Sequence, residues 1–423
     1  MDKVVIQGGV PLKGTVEVRG SKNAALPILF ATILGRGRSV IHKVPHLRDV
    51  NSTLFILREL GMGCERRKDG ALEVDTDDET PFTAPWDHVR KMRASVCALG
   101  PLLARRRRAR VSLPGGCVLG VRPIDLHLKG LEALGAKIRI EHGYVDAKAD
   151  RLRGASIFLG GAYGSTVLGT ANIMMAATLA QGTTVIECAA CEPEVADLAG
   201  FLNAMGARVR GAGTPRVEID GVDELTGAEY TVIPDRIEAG TFLLAGAITG
   251  GDVIVEGARP DHLAALLDIL HSTGVQISVE ANSMRVRRDQ PVQPVDVTTH
   301  PYPGFPTDLQ AQVMALLATA DGMSVVPEKI YPDRFMHIAE LVRMGARIRK
   351  EGPSAIIVGS QKLSGAQVMA SDLRASASLI LAGLVATGIT EVHRIYHLDR
   401  GYERIEERLA RLGANIRREA EEE

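Results

Sequence analysis

Gly169-Thr170-Ala171-Asn172-Ile173-Met174-Met175-Ala176-Ala177-Thr178-Leu179-Ala180 is apolar or small on every face, and Gly182-Thr183-Thr184-Val185-Ile186 follows it. A helix on a protein surface keeps one apolar stripe, so a helix that is apolar all round is enclosed by protein. The β-branched run behind a glycine turn reads as a strand beside it. Further on, Ala204-Met205-Gly206 closes a second helix-like segment. Glycine suits the left-handed residue that follows a helix.

The unit recurs. Glu59-Leu60-Gly61, Ala133-Leu134-Gly135, Ser272-Thr273-Gly274, Arg343-Met344-Gly345 and Arg411-Leu412-Gly413 repeat the helix-ending glycine at a period of about 70 residues. An all-apolar helix is expected before each, near 23–34, 92–104, 169–180, 238–248, 308–318 and 373–386. This predicts an α/β protein of six alternating helix–strand units, three and three, with the break around Val232-Ile233-Pro234-Asp235. Residues 3–7 and 15–19 read as two strands with no buried helix before them. The period exceeds that of the short solenoid repeats, and no dinucleotide or P-loop glycine pattern is present.

These buried helices open on polar residues that a core helix does not need: Lys22-Asn23, Arg93, Arg236 and Glu238, Asp308, and Asp372-Leu373-Arg374. Asp and Asn at such positions are ordinary caps. Lys and Arg are different, because the helix dipole disfavours a cation there unless an anion accompanies it. Equivalent charged ends in repeated units predict an anion-binding cleft where two domains face each other.

Composition narrows the classes. With 45% hydrophobic and 24% charged residues in 423, the chain supports sizeable cores and more than one domain. A net charge of -1 and 4% aromatics argue against nucleic acid as a partner. The opening Met1-Asp2-Lys3-Val4-Val5-Ile6 is not a signal peptide, and the longest apolar stretch, 24–34, is too short to insert in a membrane. Five cysteines without framework spacing suggest reduced thiols and a cytoplasmic protein.

Gly115-Gly116-Cys117-Val118-Leu119-Gly120-Val121-Arg122-Pro123-Ile124-Asp125-Leu126-His127 closely resembles the cysteine loop of the UDP-N-acetylglucosamine 1-carboxyvinyltransferase family, enolpyruvyl transferases of the EPSP synthase superfamily. Arg19-Gly20-Ser21-Lys22-Asn23, Met92-Arg93-Ala94-Ser95, Phe305-Pro306-Thr307-Asp308 and Asp333-Arg334-Phe335-Met336-His337 match in the family's order, as do 363–378 and 396–405. The resemblance implies an inside-out α/β barrel fold, with two domains of three βαβαββ-type repeats around buried helices. It implies boundaries at 21–233 for one domain and at 1–20 with 234–423 for the other. One departure stands in Leu159-Gly160-Gly161-Ala162-Tyr163-Gly164-Ser165-Thr166-Val167-Leu168-Gly169, which is a residue shorter than in many members and lacks their lysine.

The resemblance also implies the chemistry: a hydroxyl of UDP-N-acetylglucosamine adds to C2 of phosphoenolpyruvate, C3 gains a proton and phosphate leaves. It places Lys22, Arg93, Arg122 and Arg400 around phosphoenolpyruvate, with Arg334 and Arg374 nearby. Asp308 is the expected base, with capping as the rival role. Cys117 is the expected proton donor, and in the family it also forms an adduct with phosphoenolpyruvate. Asp125 and His127 are implied at the uridine diphosphate, and further substrate contacts at Asn23, Pro123, Leu168, Gly169, Ile330 and Asp372. No cofactor and no metal are required. Cys188-Ala189-Ala190-Cys191 has zinc spacing but no second pair, and Arg105-Arg106-Arg107-Arg108 reads as a solvated helix end. The alternatives are a transferase acting on shikimate 3-phosphate, a non-catalytic UDP-sugar binder, and a repeat scaffold for a protein partner.

Overall fold

The computed structural model describes residues 2–89, 92–113, 124–359 and 362–421. Cys117, Arg122 and Pro123 lie outside them. The described residues form two compact units: those within 20–113 and 124–233 make the first, and those within 2–19 and 234–421 the second. Each has its own apolar core.

The repeat glycines do what their position requires. Gly61, Gly135, Gly206, Gly274, Gly345 and Gly413 all have positive φ, between 77° and 101°. Each follows a helix, as Gly206 follows Pro193–Ala204. Its N–H bonds Asn203 O at 3.0 Å while that of Ala207 bonds Leu202 O at 3.0 Å. This pair of bonds satisfies two of the helix's free carbonyls and turns the chain into the next strand.

In the first unit, the sheet after the quoted helix shows the pattern. Ser156–Phe158 runs parallel to Thr183–Glu187, which pairs antiparallel with Arg216–Asp220, itself antiparallel to Arg208–Arg210. Along Thr183–Glu187, Thr184 and Ile186 point inward, as the period of two in a strand dictates. The enclosed helix Val167–Ala177 is buried from Gly169 onward. Glu229–Thr231, at the end of the unit, returns to lie parallel to Ser39–His42 and completes the first sheet.

The second unit repeats the arrangement around the helices Arg236–Ile248, Gln310–Leu317 and Leu373–Val385. The two opening strands of the chain belong here. Asp2–Gln7 lies between Ile389–His393 and Asn415–Ala420, and Lys13–Glu17 runs parallel to Asp252–Glu256. They therefore supply strands that the sixth and fourth repeats lack. The fifth sheet has three strands, Met323–Pro327, Ser354–Val358 and Arg347–Glu351. The stretch before it carries Pro291 and Pro294, which cannot donate to a ladder. It meets the edge strand through isolated bonds instead, among them Val297 N to Val325 O and Thr299 N to Pro327 O.

Two expected α-helices begin differently. The second buried helix starts as a 3-10 segment, Arg93–Ala98, before Leu99–Arg106, and the fifth as Thr307–Leu309 before Gln310–Leu317. The arginine run is only in part a solvated end: Arg107 is exposed, but its neighbours have partners. Arg105 pairs with Glu79 at 2.6 Å, Arg106 donates to Leu60 O at 2.7 Å and to Pro81 O, and Arg108 lies over the Phe82 ring. Partly buried carbonyls, an acid and an aromatic face absorb the cations of Arg105, Arg106 and Arg108.

Candidate active site

In the second unit, Asp308 stands in the 3-10 turn before its helix. Arg334 Nη1 donates to its Oδ1 at 2.8 Å and Arg374 Nη2 to its Oδ2 at 2.9 Å. The arginines are 5% and 2% exposed. Burial is the largest single influence and would lower a guanidinium's pKa, but the charge of Asp308, its hydrogen bonds and the neighbouring groups together outweigh burial and raise both. Asp372 adds to this at Arg334, and Tyr402 and Asp235 at Arg374. The carboxylate of Asp308 thus accepts from arginines 26 and 66 positions away in the chain. Among the described residues, nothing accepts from Nε or Nη1 of Arg374. A buried guanidinium with two idle donors is a seat for an oxyanion.

The backbone of Asp308 is also held. Gln312 Nε2 donates to its carbonyl at 3.0 Å and to the Tyr402 hydroxyl at 3.2 Å. Tyr402 in turn meets Thr241 Oγ1 at 2.8 Å and presents its ring to Arg374. Asp372 is a cap, accepting from the N–H of Arg374 at 2.7 Å and of Ala375 at 3.1 Å. Asp235 does the same for Ile237 and Glu238. Arg400 is half-buried at the end of the turn Ile395–Arg400. Ile330 is half-buried, and its N–H is taken by Glu328 at 2.8 Å. Glu238 serves the chain crossing: Arg19 N donates to it at 2.8 Å and Arg408 pairs with it.

In the first unit, Lys22 opens the helix Lys22–Ala31 behind the cap Ser21. It is buried, with Nζ 3.2 Å from Asp49 Oδ2, so the anion that a cation at this end needs is supplied within the unit. Asn23 and Arg93 are half-buried. Asp125 is exposed at the start of Asp125–Ala133, whereas His127, two residues on, is 3% exposed. Burial, helped by Arg93, pushes its pKa down to about 3, so the ring is neutral. Its Nδ1 lies 3.1 Å from Asn172 Nδ2. Gly100 N donates to Asn172 Oδ1 at 2.6 Å, which fixes the amide. Asn172 Nδ2 is therefore the donor and Nδ1 of His127 the bare nitrogen. Leu168 and Gly169 open the helix Val167–Ala177, where Thr166 Oγ1 accepts from Gly169 N at 3.2 Å. The loop before it closes on itself through reciprocal bonds between Gly161 and Gly164.

Sequence reasoning missed Asn172, Gln312, Glu328 and Tyr402, each of which has at least one partner distant in the chain. Cys188 and Cys191 are free thiols, and no group of three metal-ligating side chains occurs among the described residues. No helix among them is long and apolar enough to cross a membrane.

Residues 6–409 match the family EPSP synthase (3-phosphoshikimate 1-carboxyvinyltransferase). The UDP-N-acetylglucosamine 1-carboxyvinyltransferase of Methylacidiphilum infernorum is 55% identical over 418 residues, 99% of each chain. That of Trichlorobacter lovleyi is 56% identical over 422 residues, 100% of each. Among solved structures, the enolpyruvyl transferase NikO from Streptomyces tendae superposes with a TM-score of 0.89 at 26% identity, over 99% of this chain and 98% of that one. EPSP synthase from Acinetobacter baumannii shares the fold at a TM-score of 0.73 and 20% identity, over 99% and 100%. The chain has the two-unit α/β fold of the enolpyruvyl transferases and belongs to the EPSP synthase family, on its branch of UDP-N-acetylglucosamine 1-carboxyvinyltransferases.

Proposed function

We propose that this protein transfers the enolpyruvyl group of phosphoenolpyruvate to the 3'-hydroxyl of UDP-N-acetylglucosamine and releases phosphate, the first committed step of peptidoglycan synthesis, in the cytoplasm. The observation that carries the reading is the buried Arg334–Asp308–Arg374 cluster, with two idle donors on Arg374. It sits in a chain more than half identical, end to end, to enzymes named for this reaction.

The residues divide the work as follows. Lys22, Arg93, Arg122 and Arg400, with Arg334 and Arg374, neutralise the carboxylate and phosphate of phosphoenolpyruvate. Asp308 orients the sugar hydroxyl and takes its proton as oxygen bonds to C2. Transfer of a proton to Asp308 would cost both charge-assisted bonds to it. An arriving phosphate that engages Arg374 takes over part of that charge and frees the carboxylate to act as base. Cys117 supplies the proton to C3 in the addition. In the elimination C3 returns a proton to the Cys117 thiolate, the C2–C3 double bond re-forms, and the C2–O bond to phosphate breaks with its electron pair leaving on the phosphate, which the cations stabilise. Asp125 and His127 serve the uridine diphosphate, with Asn23, Pro123, Leu168, Gly169, Ile330 and Asp372 completing the substrate contacts. His127, neutral and locked to Asn172, acts by shape and hydrogen bonding and carries no charge.

Mass spectrometry of the sugar nucleotide after incubation with phosphoenolpyruvate tests the reading. A product heavier by one enolpyruvyl group is expected, and an unchanged sugar nucleotide with a folded protein would refute it.

A further inference from the structure

Glu328 is 0% exposed, and no cation among the described residues forms an ion pair with it. Its oxygens are filled by neutral donors. Oε1 accepts from Thr299 Oγ1 at 2.8 Å, Ile330 N at 2.8 Å and Tyr331 N at 2.9 Å. Oε2 accepts from Thr307 Oγ1 at 2.8 Å. A carboxylate is a costly group to bury where only volume must be filled. Four directed bonds, from Thr299, Thr307 and the 330–331 backbone, point to a task of holding geometry.

Two of these segments carry Asp308 and its partner Arg334. Thr307 immediately precedes Asp308. Because the Thr307 hydroxyl gives its proton to Glu328, its lone pair is left to face Arg334. Arg334 Nη1 donates to Thr307 Oγ1 at 3.1 Å, and the same nitrogen donates to Asp308 Oδ1 at 2.8 Å. On the other side, Glu328 ties down the N–H groups of Ile330 and Tyr331, and Arg334 N bonds Tyr331 O at 2.8 Å. We propose that Glu328 is a positioning residue for the transfer reaction: through Thr307 and the 330–331 backbone it sets the Arg334–Asp308 geometry that aims the carboxylate at the acceptor hydroxyl. The proposal rests on the function proposed above.

Glu328→Gln keeps the shape but replaces one acceptor by a donor. If the amide nitrogen faces Thr307, the hydroxyl must turn its proton towards Arg334, and the relay is reversed. A small misplacement of a catalytic group costs about tenfold to a hundredfold in rate. The test compares E328Q, Thr307→Val, Thr307→Ser and the double variant E328Q/T307V by steady-state phosphate release, with thermal midpoints measured alongside. The expected result is a kcat for E328Q and T307V lower by about 10–100-fold, with KM for phosphoenolpyruvate within about threefold. T307S, which keeps the hydroxyl, should lose at least about fivefold less than T307V, and the double variant should be no worse than the poorer single one. Two results would overturn the proposal: E328Q turning over within about threefold of the unsubstituted enzyme, or the two losses multiplying in the double variant. The comparison of T307V with T307S decides the matter if E328Q fails to fold: equal losses contradict the relay. Turnover of the unsubstituted enzyme, run beside the variants, reports on the proposed function separately.

Discussion

Arg374 reaches back 66 positions to place its Nη2 2.9 Å from Asp308 Oδ2, and it does so while only 2% exposed. The pair joins the N-terminal ends of two enclosed helices of the second unit, so the charges that a core helix does not need are spent on each other. What remains unspent is the Nε and Nη1 of Arg374.

Removing the carboxylate should therefore be costly in a particular way. Asp308→Ala leaves Arg334 and Arg374 buried without their counter-ion, a loss of about 3–5 kcal/mol in urea denaturation. Inorganic phosphate should recover part of it, since an anion that binds only the folded state stabilises that state. Asp308→Asn keeps the volume and should fold, while phosphate release drops at least about a hundredfold.

Asn172 is the equivalent test of the first unit. Asn172→Leu strips a partner from the Gly100 N–H, the Val96 carbonyl and His127 Nδ1. At roughly 1 kcal/mol or more for each buried group left alone, about 3 kcal/mol should be lost. Equal denaturation midpoints for variant and parent would contradict this.

Stability should depend on pH through three buried groups. His127 and His337 have folded values pushed down by burial to about 3 and about 4. Below pH ~6.5 the unfolded chain binds protons that the folded one refuses, so their contribution is complete above that pH and falls as pH drops towards 4. Asp197 has the opposite sign. Burial raises it to about 6, despite bonds from the Tyr230 hydroxyl and Ile233 N. Its contribution is greatest at low pH and is lost as pH rises through 6. His127→Gln should flatten the acid-side loss, and Asp197→Asn should steepen it, in denaturation series from pH 4 to 8.

Glycines separate conformational strain from space. Gly206 has φ +101° and nothing near a built Cβ, so Gly206→Ala should cost about 1–2 kcal/mol, all of it backbone. A Cβ on Gly100 would lie 2.3 Å from the Asn172 carbonyl oxygen. Gly100→Ala should therefore cost more, about 3 kcal/mol or above, by thermal or urea denaturation.

The repeat was legible because its signals are local. A glycine behind a helix needs only its own φ, and an all-apolar helix declares its enclosure without knowledge of its neighbours. The opening strands were legible as strands, but their sheet mates, such as Ile389–His393, are nearly the whole chain away. The site divides in the same way. Asp308, Arg334 and Arg374 were readable as candidates from their motifs, whereas the bonds between them were not. Asn172 was hidden inside the segment whose apolar character announced the fold. Glu328 carries no motif at all, since its function lies in four donors that tertiary structure collects. The arginine run misled because charge alone does not show that Glu79, Pro81 and Phe82 lie within reach.

The central claim is the transfer of an enolpyruvyl group to a UDP-amino sugar, and inorganic phosphate release from phosphoenolpyruvate tests it most directly, with UDP-N-acetylglucosamine or shikimate 3-phosphate supplied in parallel. Release that requires the UDP-sugar, and falls at least about a hundredfold in Asp308→Asn, is the predicted result. Release with shikimate 3-phosphate instead, or with neither acceptor, would contradict it.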